Sequence, residues 1–201
     1  PRTSSSSVKV AMNRSFGFPY GKRNIFEKEY SSYSPYQDHL KAKHARKVIG
    51  QKIWKNLKKF TIVRNPYERI ISIYFYNQTI KAIHHSMSIN DFVNSIKEAK
   101  YQNVNWQFLE YKRRWIPAFE FLLHEGKLDQ SIHIIKYENR LEELYEFFEG
   151  KIEKDDLSIN IQSSNSIYYD NYQNILNKNS IEIINDIYND DFALFGYEKI
   201  S

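Results

Sequence analysis

The chain has 201 residues, of which 41% are hydrophobic and 16% aromatic, so it can bury a core and is not wholly disordered. It contains no cysteine, which excludes a disulfide framework and a thiolate metal site. Its net charge of +5 is unevenly distributed: residues 1–140 carry 25 Lys and Arg against 11 Asp and Glu, and residues 141–201 carry 4 against 13. A basic region of this kind is usually a solvated face; otherwise it attracts a polyanion such as a nucleotide, a nucleic acid or an acidic sugar.

The first 63 residues predict two helices, a loop and a strand. Apolar residues spaced three and four apart predict a first helix that ends near Gly17. Residues 16–38 are rich in Gly, Pro, Ser and Tyr, which is typical of a loop. Residues 39–57 show two apolar stripes and predict a second helix. Residues 60–63 form a short apolar, β-branched run of the kind found in buried parallel strands.

The helix that follows this strand has a well-marked start. Asn65 is a residue type that caps helices, Pro66 occupies the first helical position, and Glu68 lies three residues past the cap. We expect this helix to cover residues 65–77, with an apolar face that packs on a core.

The rest of the chain alternates predicted helices with one further strand. We expect a broken helix over residues 89–123, a strand over 131–135 and a helix over 138–148. A loop-rich stretch should follow over 151–172 and an amphipathic helix over 180–192. Short apolar strands separated by helices predict an α/β fold with a central parallel sheet, and we expect a single domain over residues 1–201. Such a sheet would need a hydrophobic strand before Pro1, so we expect the first strand to be missing from this chain.

Residues 60–76 combine a buried strand, a sharp turn and a capped helix, an arrangement suited to an anion. Arg64 stands at the carboxyl end of the strand, where ligands bind in open α/β sheets, and its planar guanidinium suits phosphate. The helix N-terminus offers N–H groups and the positive end of the helix dipole, and Ser72 adds a hydroxyl two turns further on. On spacing alone, a structural ion pair at Arg64 and a tolerated helix serine at Ser72 explain the pattern equally well.

The same segment resembles the 3′-phosphate-binding motif of sulfotransferases that use PAPS (3′-phosphoadenosine-5′-phosphosulfate), above all those of the carbohydrate (Golgi-type, family 2) branch. The motif of that branch is V-R-N-P-[YW]-x-R-[LI]-x-S-x-Y, and its fixed positions are met by Val63, Arg64, Asn65, Pro66, Tyr67, Arg69, Ile70, Ser72 and Tyr74. By this resemblance, Arg64 and Ser72 hold the 3′-phosphate of the donor. The resemblance also implies the three-layer α/β/α fold of sulfotransferases, which is similar to that of P-loop NTPases.

Four other stretches resemble the family in the same order along the chain. The family places a His, a basic helix, a Gly and a Trp before the strand, as residues 39–60 do. Residues 134–144 resemble its strand and helix around a Tyr/Phe-Glu pair, and residues 190–198 its closing Asp-x-x-x-Phe-Gly-Tyr signature. Residues 115–122 resemble a segment with a Pro-Gln pair, in which Ala118 replaces the Gln. The likeness therefore spans nearly the whole chain.

The opening heptapeptide, residues 1–7, resembles the 5′-phosphosulfate loop of the family, whose pattern is Pro-Lys-Thr-x-Gly-Thr-Ser. The residues that would cradle the 5′-phosphate by this resemblance are Thr3, Ser4, Ser5, Ser6 and Ser7. Arg2 takes the position of the Lys that approaches the leaving oxygen, where it neutralises charge but stays protonated. Ser5 takes the position of the Gly, and its Cβ predicts strain in a loop wrapped on phosphate. By itself, a Ser-rich terminus is more often a floppy end.

His39 is the candidate general base, because a neutral imidazole suits the removal of a hydroxyl proton near pH 7 and the family places a His in the corresponding segment. The alternative is an exposed His at a helix start. The implied reaction transfers a sulfuryl group from PAPS, as co-substrate, to a hydroxyl and releases 3′,5′-ADP, with no metal required. The family branch implies a carbohydrate acceptor. Residues 112–114, Lys-Arg-Arg, would meet an anionic acceptor or form a solvated helix end.

Three other functions remain open on the sequence. A P-loop kinase or NTPase shares the fold, but the chain has no G-x-x-x-x-G-K-[ST] stretch. A sulfotransferase-like domain impaired at Arg2 and Ser5 would bind the nucleotide without turnover. A basic nucleic-acid binder fits the composition, but no nucleic-acid motif is present, so we expect no such partner. Members of the family in the secretory pathway often have cysteines and a membrane anchor, and this sequence shows neither, so we expect the cytoplasm in preference to the Golgi lumen.

Overall fold

The computed structural model describes four stretches of the chain, residues 5–16, 41–101, 115–158 and 172–201. The chain folds into two compact units, and each is assembled from separate stretches of sequence. We call them the sheet unit, residues 4–62 and 121–162, and the helical unit, residues 1–3, 63–120 and 163–201.

The described residues form ten α-helices and four strands. In chain order these are α1 (Ser5–Phe16), α2 (Ala42–Ile49), α3 (Gln51–Asn56), β1 (Lys59–Val63), α4 (Pro66–Thr79), α5 (Ile89–Tyr101), α6 (Phe119–Leu122), β2 (Leu123–His124), β3 (Lys127–Leu128), β4 (Ile132–Lys136), α7 (Arg140–Phe147), α8 (Lys154–Ser158), α9 (Lys178–Ile187) and α10 (Asn189–Phe195). The chain is therefore a mixed α/β protein, as predicted.

The sheet unit contains two small sheets. β1 and β4 form a two-stranded parallel sheet, which their apolar, β-branched composition predicts. β2 and β3 pair antiparallel, with Leu123 opposite Leu128. The two residues between these strands, Glu125 and Gly126, have φ angles of 52° and 77°, the positive values that a type I′ hairpin turn requires.

The core of the sheet unit consists of hydrocarbon side chains from both its sheet and its helices. Its buried residues are Val8, Ala11, Ile62, Ile135, Leu144, Ile152 and Leu157. Beside them, Phe60 packs against Phe147 and Phe148, with ring centroids 5.0 Å and 5.6 Å away. Aromatic rings at these distances add to the stabilisation that area burial alone provides.

The core of the helical unit is built around α4. Ile70, Ile71 and Ile73 of this helix are fully buried, because neighbouring helices cover it on more than one side. The helices that pack on it include α5 and α9, through Phe92, Val93, Ile96, Ile183, Ile184 and Ile187. A helix surrounded in this way needs apolar residues on most of its circumference, which the run Ile70–Tyr74 supplies.

The predicted start of α4 is confirmed. Oδ1 of Asn65 accepts a hydrogen bond from the Tyr67 N–H at 3.0 Å, and Pro66 is the first helical residue. This cap satisfies one of the N–H groups that every helix leaves without a partner in its first turn. The helix begins where β1 has just ended, so the strand–turn–helix order inferred from residues 60–76 is correct.

Several predicted boundaries differ from the observed ones. The predicted helix 39–57 is divided between α2 and α3 at Gly50, whose φ of 87° favours glycine. Residues 151–172 were expected to be loop-rich, but residues 154–158 form α8, where buried Leu157 packs in the core and Arg14 of α1 pairs with Asp156. Short helices of this kind depend on tertiary packing more than on propensity.

None of the helices among the described residues is long and apolar enough to cross a membrane.

Candidate functional site

Arg64 lies between the end of β1 and the N-cap of α4, as the sequence predicts. The residue is only 6% exposed, and its Nε–H donates a hydrogen bond of 2.9 Å to Oε2 of Glu68. The structural ion pair that competes with the phosphate interpretation is therefore present. It does not exclude a phosphate by itself, because a guanidinium carries five N–H donors in one plane.

Ser72 lies further along α4 and is 4% exposed. Residues four apart on a helix lie on the same side, so Glu68 and Ser72 share one side of α4, and Arg64, which precedes the helix, contacts Glu68 through its Nε–H. We call these three residues the α4 stripe. Glu68 thus contacts one of the two predicted phosphate residues and lies one turn from the other. The sequence indicates only that Glu68 belongs to the helix start, and not that it pairs with Arg64.

The N-terminus of α4 is stabilised by the chain's own side chains. Asn65 caps the helix, and Glu68 is the acidic residue of its first turn. A cap and a carboxylate at this position both act on the positive end of the helix dipole. An anion that bound here would therefore share the helix end with the Glu68 carboxylate.

The N-terminus of α1 has a different character. Ser5, Ser6 and Ser7 form the start of this helix, and no acidic residue occurs in its first turn. Ser5 is the first residue of α1, and the strain expected there around a bound phosphate stays a prediction.

Several predicted site residues lie outside the described residues. These are Arg2, Thr3 and Ser4 of the opening heptapeptide, the candidate base His39, and the basic triplet 112–114. Their roles remain predictions from the family resemblance.

The basic helices α2 and α3 direct most of their charges to solvent. Their exposed lysines are Lys43, Lys47, Lys52 and Lys55. Partial burial and the nearby ammonium groups of three lysines hold the pKa of His44 below its usual value, because both disfavour a second cation. The exposed charges are what the solvated-face interpretation of this basic run predicts.

The best-defined polar cluster of the helical unit involves a buried ion pair that the sequence does not predict. Arg69 is 1% exposed and Asp191 is 2% exposed, and Nη1 of Arg69 lies 3.5 Å from Oδ2 of Asp191. Burial, with a smaller contribution from the Asp190 charge, raises the pKa of Asp191, although the Arg69 charge and two backbone hydrogen bonds act to lower it. Both residues occupy fixed positions of the two matched motifs, but nothing in the sequence indicates that these motifs meet.

This ion pair holds the segment 115–119, which contains the altered Pro-Gln position. Arg69 donates from Nη2 to the Ile116 carbonyl at 2.6 Å. The two oxygens of Asp191 accept from the N–H groups of Ala118 and Phe119, each at 2.8 Å. Three backbone polar groups in four residues are thus bound by two buried side chains, so we interpret the cluster as an anchor of the fold.

Tyr188 extends the same cluster. Its hydroxyl donates to the Trp115 carbonyl at 2.5 Å, and its ring centroid lies 5.8 Å from the Arg69 guanidinium carbon. Complete burial raises its pKa well above the usual range, so the hydroxyl stays protonated and keeps this hydrogen bond.

Within the part of the chain that the structure describes, no group of three His, Asp or Glu side chains is arranged to hold a metal ion.

Among the comparisons with known proteins, a family model matches the chain. The model of the Sulfotransferase family matches residues 1–198, nearly the whole chain and parts of both units. No curated protein and no solved structure matches the chain significantly.

Proposed function

This chain belongs to the sulfotransferase family, and on that premise we propose that it transfers a sulfuryl group from PAPS to a carbohydrate hydroxyl and releases 3′,5′-ADP. Membership of the family supports sulfuryl transfer in general. PAPS as the donor, a carbohydrate as the acceptor and the roles of the site residues go beyond family membership and form our proposal. We extend the proposal to one catalytic domain over residues 1–201 with the three-layer, P-loop-like fold.

The observation that carries the donor assignment is the position of Arg64. It follows β1 directly and precedes the N-terminus of α4, and this edge of a parallel sheet is where α/β proteins bind ligands. We assign the 3′-phosphate of PAPS to Arg64, which precedes α4, and to Ser72 of that helix. A charged fork and a hydroxyl are groups that recognise phosphate oxygens.

We assign the 5′-phosphosulfate to the opening heptapeptide. Ser5, Ser6 and Ser7 start a helix whose first turn contains no acidic side chain, which favours an anion there. Thr3 and Ser4 would extend this cradle, and Arg2 would neutralise charge on the leaving phosphate.

The reaction in this proposal is an in-line displacement at sulfur. The acceptor oxygen forms a new S–O bond while the bond from sulfur to the bridging phosphate oxygen breaks, and its electron pair leaves with 3′,5′-ADP. His39 takes the proton of the acceptor hydroxyl, a role worth roughly a hundred- to ten-thousand-fold in rate. Because Arg2 stays protonated, it stabilises the leaving group by charge instead of donating a proton to it.

The acceptor assignment rests on the family branch and on charge. Lys112, Arg113 and Arg114 precede the anchored segment 115–119 in the sequence, and we assign them to an anionic group on the acceptor. Neither a metal ion nor a nucleic acid takes part in this proposal.

The donor assignment is tested by the variant Arg64→Ala. We expect the wild-type chain to bind 3′,5′-ADP and the variant to bind it more weakly by about 1.5–3 kcal/mol, the usual contribution of a charged hydrogen-bonding partner. Isothermal titration calorimetry measures the difference. Arg14→Ala is a matched control, because the Arg14 side chain is 57% exposed and belongs to the sheet unit. Equal binding by wild type and Arg64→Ala would remove the donor site.

The base assignment is tested by the variant His39→Ala. We expect it to bind 3′,5′-ADP normally and to lose about a hundredfold or more in the rate of sulfuryl transfer from PAPS. A sulfation assay on candidate carbohydrates under single-turnover conditions measures that rate, and His44→Ala is the control on the neighbouring helix. An unchanged rate would eliminate His39 as the base, and a wild type that binds but never turns over would identify a non-catalytic nucleotide-binding domain.

A further inference from the structure

Glu68 occupies the variable position of the matched motif, between Arg64 and Ser72 on the α4 stripe. Its Oε2 accepts the Nε–H of Arg64 at 2.9 Å, with the side chains 20% and 5% exposed. We propose that Glu68 is a positioning residue, which holds the Arg64 guanidinium in the orientation that receives the 3′-phosphate of the donor. This inference rests on the proposed function, because it assumes that Arg64 binds that phosphate.

The burial of Arg64 explains why a positioning residue is needed. A guanidinium on a side chain only 5% exposed has lost most of its hydration, so its N–H groups require hydrogen-bond acceptors from the protein. A carboxylate on Nε fixes one end of a rigid, planar group. The orientation of the remaining N–H donors is then fixed as well.

Fixing the side chain before the nucleotide arrives also favours binding. An arginine side chain loses more rotamer entropy on being ordered than almost any other, and a ligand that must order it binds more weakly for that reason. In this chain the Glu68 bond orders Arg64 in the absence of ligand. The 3′-phosphate therefore meets a preorganised partner.

Charge repulsion opposes this effect, and the proposal is tested by separating the repulsion from the orientation of Arg64. The carboxylate of Glu68 repels a phosphate bound at Arg64, whereas its role as hydrogen-bond acceptor orients the guanidinium. Glu68→Gln removes the negative charge and retains an oxygen that accepts from Nε–H. Glu68→Ala removes both, so the two variants separate orientation from repulsion.

The experiment measures the affinity of each variant for 3′,5′-ADP and for 5′-AMP, which lacks the 3′-phosphate. We expect Glu68→Ala to weaken 3′,5′-ADP binding about tenfold, equivalent to about 1.4 kcal/mol, and to leave 5′-AMP binding unchanged. Glu68→Gln should stay within about threefold of wild type for both nucleotides. Glu98→Ala, the same charge change at an exposed position of α5, should match wild type.

Three outcomes overturn the inference. Tighter binding of 3′,5′-ADP by both Glu68 variants would mean that the carboxylate competes with the phosphate. Equal weakening of both nucleotides in Glu68→Ala, or a large loss in Glu68→Gln, would mean that Glu68 supports the fold or acts through its charge. If wild type does not prefer 3′,5′-ADP to 5′-AMP, the assignment of the donor site is wrong. This result distinguishes failure of the proposed function from failure of the role proposed for Glu68.

Discussion

The two units differ in where they place polar groups. Among the described residues, the buried polar and charged ones all belong to the helical unit: Arg64, Arg69, Ser72, Asn77, Ser180 and Asp191. The ion pairs of the sheet unit lie nearer the surface, as in Lys58–Glu149, with side chains 67% and 57% exposed, and Lys154–Glu142, with 45% and 66%. Charge is therefore part of the core in the helical unit and mostly a surface feature in the sheet unit, where the pair between Arg46 and Asp129 is the more buried exception.

The difference follows from how each unit is assembled. The helical unit joins stretches far apart in sequence through buried side chains, as Ser180 does by donating from Oγ to Asn90 Oδ1 at 2.7 Å. Buried polar groups must find partners, so each such bond requires one arrangement of the chain. The sheet unit joins its stretches mainly through aliphatic and aromatic contacts, which tolerate more rearrangement.

The largest effect is expected at the buried ion pair. Asp191→Asn should lower the free energy of unfolding by about 3–5 kcal/mol, because it leaves the buried Arg69 cation without its counterion and disturbs the acceptors for Ala118 and Phe119. Denaturant unfolding followed by circular dichroism measures the change.

A double variant tests whether that loss comes from an uncompensated charge. Arg69→Met combined with Asp191→Leu should be less destabilised than the sum of the two single variants, because neither charge is then left alone. If Asp191→Asn unfolds at the same denaturant concentration as wild type, the buried charge of the helical unit does not contribute to its stability, and the units do not differ in this respect.

A smaller and pH-dependent effect is expected at Asp129 of the sheet unit. Its side chain, 8% exposed, accepts from Nε1 of Trp54 at 2.9 Å and lies 3.9 Å from Arg46. Burial alone would raise the pKa of Asp129, but hydrogen bonds from Ser131 and Trp54 and the charge of Arg46 lower it. Asp129→Asn should cost about 1.5–3 kcal/mol at pH 7, the usual value for a charged hydrogen bond.

The sign of the pH dependence follows from the lowered pKa of Asp129. The unfolded chain protonates this carboxyl at a higher pH than the folded chain does, so the stabilisation is present above the unfolded pKa and is lost as pH falls through the folded one. The difference between wild type and Asp129→Asn should therefore shrink below about pH 4. Thermal unfolding between pH 3 and pH 7 measures it, and a constant difference would contradict the assignment.

The smallest effect is expected at the surface of the sheet unit. Lys154→Ala removes the exposed pair with Glu142 and should leave the free energy of unfolding almost unchanged, because water and salt screen such pairs. The same denaturant experiment measures it in low and high salt. A loss comparable to that of Asp191→Asn would show that surface charge matters as much as buried charge.

Local sequence was sufficient to predict the elements whose boundaries are set by neighbouring residues. The boundaries of β1 and α4 were predicted to within two residues, because a β-branched run, a capping Asn65 and Pro66 at the first turn act over a few neighbours. The division of residues 39–57 at Gly50 and the helix α8 were not predicted. A glycine in a helical pattern is often tolerated, and α8 is too short to form without its packing partners.

The candidate site divides in the same way. The sequence by itself determined that Arg64 follows a strand, that a capped helix begins beside it, and that the family motif runs through both, since these are matters of order and spacing. Only the tertiary structure decided that Arg64 is buried against Glu68 and that Arg69 meets Asp191 across more than a hundred residues of chain. The partner of a buried charge depends on which distant segment packs over it, and spacing along the chain does not contain that information.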